Sequence, residues 1–123
     1  MASLNAFGAI MTYAIELETR LNAYYQKAGS SERATDADKR RSKLERARRT
    51  YVLEITLEPI EGLDEANYVL NLDDTSPAGQ KAVEQTAAKF YTDVSPHINV
   101  RDAQRLLEKC GKEHAALSEI SPS

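Results

Sequence analysis

The sequence predicts an all-α fold, a bundle of four helices built as two antiparallel hairpins joined by a long crossover. Three observations lead there. Apolar residues recur at three- and four-residue spacing in four separate stretches. The first two helices are joined by a handful of residues, as are the last two, which is the length that connects antiparallel neighbours. The remaining connection, PIEGLDEANYVLNLDDTS from Pro59 to Ser76, is too long for a tight turn and has a non-helical composition. Its length suits a crossover between helices that run the same way.

The first helix is predicted from about Ser3 to Ala28, with Phe7, Met11, Ala14, Leu21 and Tyr25 on one stripe, and Gly29-Ser30-Ser31 ends it. The second runs from about Ala34 to Glu58 and stops at Pro59. Leu63, Tyr68, Val69, Leu70 and Leu72 in the crossover are expected to pack against the bundle. Ser76 caps the third helix with Pro77 in its first turn, Val83, Ala87, Phe90 and Val94 form its apolar stripe, and Pro96 closes it. Asn99 with Asp102 resembles a capping box for the fourth, which carries Ala103, Leu107, Cys110 and Leu117.

A chain of 123 residues supports one domain with a real core. Apolar residues at 41 % and charged residues at 28 % match an ordinary globular protein, and no apolar run approaches membrane-spanning length. The opening stretch lacks a basic region and carries acids, so it does not read as a secretory signal. A single cysteine excludes an intrachain disulfide, and a reducing cytoplasm is the expected compartment. The net charge of −3 argues against nucleic acid as a general partner. Charge is unevenly spread, with eight bases from Arg33 to Arg49 against Asp36, Asp38 and Glu45.

ETRLNAYY, from Glu18 to Tyr25, returns in outline as EQTAAKFY, from Glu84 to Tyr91. Helical spacing puts Glu18 in the stripe 7, 11, 14, 18, 21, 25, and Glu84 beside Ala87, Phe90 and Tyr91. A carboxylate turned to a core needs a cation, a metal or hydrogen bonds, because its burial alone is prohibitive. Two such glutamates in equivalent places predict a duplicated hairpin whose carboxylates converge inside.

The segments AIELETRLNAYYQKA and AVEQTAAKFYTD resemble the first and third helices of the rubrerythrin-like branch of the ferritin-like superfamily. The resemblance implies a ferritin-like bundle with Glu18 and Glu84 at the two terminal carboxylate positions of a di-iron site. The family's even-numbered helices also each supply Glu-x-x-His. Here CGKEHAAL puts His114 where the bridging glutamate belongs and Leu117 where the histidine belongs. RARRTYVLEI offers no histidine, and its equivalents are Thr50 and Leu53 in one register. His97, in the SPHIN turn, is poorly placed for the interior. A standard di-iron centre from one chain is therefore not expected, and ferroxidase or peroxidase activity does not follow from the fold.

Two readings of the convergent residues stand side by side. Glu18, Glu84 and His114 could form a three-ligand metal site for iron, manganese or zinc. Alternatively they form a buried polar cluster, with the carboxylates neutralised by His114, by Arg48 or by tyrosine hydroxyls. Tyr24, Tyr25, Tyr51, Phe90 and Tyr91 read as core rings, with Tyr25 and Tyr91 placed to brace the glutamates. Cys110 reads as a buried small hydrophobe, with a soft metal ligand as its alternative. Lys39, Lys43 and Arg46 share a helix face that reads as the solvated side of a long helix or as a dock for an acidic protein partner, including another subunit; no aromatic platform or phosphate loop accompanies them, so nucleic acid is disfavoured.

The functional expectation is a divergent rubrerythrin-like protein, a homodimer or larger assembly, that has lost the standard di-iron site and acts as a binding or structural module. The alternative is an iron- or manganese-dependent redox or storage protein with a reduced site at Glu18, Glu84 and His114.

Overall fold

The computed structural model describes residues 7–51, 65–98 and 100–120. Among these are four α-helices and two 3₁₀ turns, with no strand: α1 is Phe7–Ala28, α2 Ser31–Tyr51, α3 Pro77–Val94 and α4 Arg101–Ser118. The 3₁₀ turns are Glu65–Tyr68 and Ser95–His97. Among the described residues no helix is long and apolar enough to cross a membrane. The expectations placed on the Phe7 and Tyr51 side chains, Leu53, Pro59, Leu63 and Asn99 fall outside what is described.

Helix α1 ends on a tight αL cap. Gly29 sits at φ 82°, the left-handed region that only glycine enters at no steric cost. Its N–H donates to Gln26 O at 3.2 Å and that of Ser30 to Tyr25 O at 2.9 Å, which satisfies two orphan carbonyls. The next helix starts at once, because Ser30 O already accepts from Ala34 N at 3.0 Å. It therefore begins at Ser31, three residues before the first apolar position that marked it in the sequence.

Helix α3 starts as predicted. Ser76 is extended and its hydroxyl accepts from Gly79 N at 3.2 Å, with Pro77 in the first turn. Gly79 is required there, since a Cβ would collide with the carbonyl oxygen of Asp74. Helix α4 begins after Val100, which is extended and contributes no side-chain cap. Asp102 in its first turn suits the positive end of the helix dipole.

The core follows the predicted stripes except at Leu117, which is only half-buried. Met11, Ala14, Leu21 and Tyr25 of α1 are buried with Val83, Ala87, Phe90 and Val94 of α3 and Ala103, Leu107 and Cys110 of α4. Helix α2 is far more polar and contributes mainly Ala34, Ala37, Leu44 and Ala47. Packing is heaviest within the pairs α1–α2 and α3–α4. Between them sits an aromatic layer in which Phe90 meets Tyr13 at 4.9 Å, Tyr91 at 5.0 Å and Tyr68 at 5.4 Å between ring centroids.

The residues after the first 3₁₀ turn only partly follow expectation. Tyr68 is buried, its hydroxyl donates to Asp93 at 2.8 Å, and its carbonyl accepts from Tyr13 at 2.7 Å. Leu70 and Leu72 pack against the core. Val69 was expected to pack as well but is 65 % exposed. With Tyr68 and Leu70 held inward, the intervening side chain turns to water.

A buried charged cluster as candidate functional site

Each helix contributes one charged side chain to a cluster in the middle of the bundle. Glu18 comes from the apolar stripe of α1, Arg40 from α2, Glu84 from α3 and His114 from the apolar stripe of α4. Glu18, Glu84 and His114 are fully buried and Arg40 is 3 % exposed. The three residues singled out as candidate ligands are thus brought together, on the faces their spacing assigned.

His114 joins the two carboxylates. Its Nε2 lies 3.0 Å from both oxygens of Glu18, and its Nδ1 meets Oε2 of Glu84. A neutral imidazole donates at only one nitrogen, so facing two carboxylates favours the imidazolium. Burial works against that charge. The Glu18 charge, the hydrogen bonds to both glutamates and the Glu84 charge outweigh it and raise the His114 pKa to about 9.

Arg40 completes the neutralisation. Its Nε donates to both oxygens of Glu18 at 2.9 Å, and its Nη1 reaches Glu113 at 3.1 Å. Burial again opposes the charge, but the Glu18 charge and the bonds to Glu18 and Glu113 hold the guanidinium above its ordinary value. Arg40 Nη2 has no acceptor among the described residues, so the pairing is incomplete on that side. Two carboxylates, one guanidinium and one imidazolium leave the inner cluster with no net charge.

The tyrosines are placed crosswise. Tyr25 of α1 donates to Oε1 of Glu84 on α3, and Tyr91 of α3 donates to Oε2 of Glu18 on α1 at 3.3 Å. Burial first, then the neighbouring carboxylate, raises the pKa of each phenol, so both stay neutral donors. Tyr91 also stacks on His114, with centroids 5.6 Å apart and planes 8° from parallel. That stack needs α3 and α4 close together; Gly111 allows it, because a Cβ there would lie 3.0 Å from Tyr91 Cβ. The guanidinium of Arg33 lies 5.7 Å from the Tyr25 ring centroid and covers it.

Two details differ from the sequence reading. Arg48, named as a neutraliser, is exposed, and Arg40 takes the role instead. Thr50, placed at the site in one register, is also exposed and bonds back to Arg46 O at 2.8 Å. The reason is level along α2: Arg48 and Thr50 lie eight and ten residues beyond Arg40, about 12 and 15 Å farther along the helix axis, and so well past the height of Glu18. Cys110 is buried, and burial followed by the Glu18 charge pushes its thiol up to about 12, so it is not a reactive thiolate. His97 is exposed, as its turn position implied.

Metal ligation needs a nitrogen lone pair from the imidazole and a free edge on each carboxylate. Here both ring nitrogens face carboxylates, and Arg40 lies across the Glu18 edge. Among the described residues no three His, Cys, Asp or Glu side chains are arranged to hold a metal ion. As folded, these side chains fit each other better than they fit a metal. No family model matches the chain, and neither a curated protein nor a solved structure matches it.

Proposed function

We propose that this chain is a divergent protein of the ferritin-like, rubrerythrin-like kind in which a buried ion-paired cluster stands where the standard di-iron site would be, and that it serves as a binding or structural module. One observation carries the reading: Arg40 Nε lies 2.9 Å from both Glu18 oxygens, occupying the carboxylate edge a metal would require. Removing that cation would leave the carboxylates under-compensated, so it acts as an internal substitute for a bound ion.

The order of contacts supports the two-hairpin layout. Asn22 bonds Ala34 O near the Gly29 turn, and Glu18 bonds Arg40 farther from it, as antiparallel α1 and α2 require. Gln104 bonds Ser95 O near the second turn, and His114 meets Glu84 farther from it, the same relation for α3 and α4. Tyr25 pairs with Glu84 and Tyr91 with Glu18, the crossed order that antiparallel α1 and α3 would give. Helices α2 and α3 then run the same way, and a long crossover is the connection such a pair needs.

Three metal-type donors meeting at one point favour a second reading, an iron- or manganese-binding redox or storage protein using Glu18, Glu84 and His114. It requires Arg40 to swing out and His114 to release one carboxylate. Metal analysis of protein purified without a histidine tag, before and after incubation with iron or manganese, separates the two. The first reading expects a folded, metal-free protein whose melting temperature neither ion changes. Stoichiometric metal, lost in the Glu18→Ala/Glu84→Ala double variant, would overturn it in favour of the second.

A further inference from the structure

We propose that the outer flank of α2 formed by Lys39, Lys43 and Arg46 is a docking strip for an acidic protein segment. This inference is independent of the reading given to the buried cluster. The three residues are spaced by four and three, so they lie along one side of the helix over about 10 Å. All three are exposed.

The same helix treats its other cations differently. Arg41 is answered by Asp38 at 2.9 Å and by Glu45 at 2.8 Å, while Arg40 is answered by Glu18 and Glu113. No ion pair reaches Lys39, Lys43 or Arg46 among the described residues. Asp36, three residues before Lys39, forms none with it either. The strip is also internally repulsive: Lys39 with Lys43, Lys43 with Arg46, and Arg46 with Arg49 are like charges at helical-neighbour spacing. Each such pair weakens the helix. An anionic partner relieves all three at once.

Protein carboxylates fit this strip better than nucleic-acid phosphates. No aromatic side chain lies along the strip to stack on a base, and no glycine-rich phosphate loop accompanies it. Two turns of an acidic helix, with carboxylates at i, i+4 and i+7, match its length and spacing. Surface pairs of this kind are individually weak and screened by salt, so the contact is a reversible one.

The test uses fluorescence anisotropy of a labelled helical peptide with glutamates at i, i+4 and i+7, titrated with full-length wild type and with the triple variant Lys39→Gln/Lys43→Gln/Arg46→Gln. Binding at low salt that fades with added salt and weakens about tenfold in the triple variant supports the proposal. Arg41→Gln, off this flank, should bind as wild type. The triple variant should melt no lower than wild type, since it loses repulsion and no contact. Absence of peptide binding at low salt, equal binding by the triple variant, or tighter binding of a DNA duplex of equal charge would each overturn it.

Discussion

Replacing Arg40 by methionine removes the guanidinium and keeps most of the side-chain volume. Glu18, which is fully buried, then retains His114 and Tyr91 as its partners among the described residues. Stranding a buried charge costs about 3–5 kcal/mol, and the remaining imidazolium puts this site at the lower end, about 3 kcal/mol. A chain of 123 residues has an unfolding entropy of about 0.26 kcal/mol/K, so the melting temperature should fall by about 12 °C. Glu18→Leu alone should cost a comparable amount, because Arg40 then stays buried with only Glu113. The double variant Glu18→Leu/Arg40→Met loses both charges together and should cost well under the sum, leaving a coupling of about 2 kcal/mol or more. Urea denaturation at neutral pH with constant m-value reads all four corners of the cycle. Additivity within about 0.5 kcal/mol, or an Arg40→Met cost below about 1 kcal/mol, would refute the claim that this pair neutralises the core.

The His114 pKa, raised from an unfolded value of 6.5 to about 9, gives stability that is complete below pH 6.5 and is lost as pH rises through 9. Urea midpoints measured from pH 6 to 8.5 should therefore decline, and His114→Gln should flatten that decline. The buried Cys110 thiol should react with a thiol reagent only after denaturant is added, at a rate that follows unfolding. Gly79→Ala should lower stability by about 1–3 kcal/mol in thermal melts, although alanine is the better helix former, because its Cβ collides with backbone at Asp74.

Spacing alone placed Glu18, Glu84 and His114 on inner faces, because α1, α3 and α4 each carry enough apolar markers to set the helix phase. Helix α2 does not. Leu44 is its one large buried aliphatic, so its apolar pattern does not separate Arg40 from Arg41 or Arg48 as the inward cation. The signal that could have found the right level is distance from the turn, since Arg40 lies eleven residues after Gly29 as Glu18 lies eleven before it, whereas Arg48 lies nineteen after. The crosswise tyrosine bonds were half legible: both rings were expected to brace a glutamate, but spacing along one helix cannot say that each serves the carboxylate of the other. Val69 shows the limit in irregular segments, where no period dictates which of three consecutive apolar residues turns outward.

That exchange of tyrosines has a consequence for how the chain acquires its fold. Tyr25 finds its acceptor on α3, Tyr91 finds its own on α1, and His114 requires both. Each helix pair matches its own charges, Glu18 with Arg40 and Glu84 with His114, but the phenol donors and the second carboxylate of His114 come only from the other pair, so a half-assembled species would leave these buried hydrogen bonds unmade. The two halves should therefore form and melt in one all-or-none step, with hydrogen exchange at the innermost amides of all four helices reporting the same opening free energy.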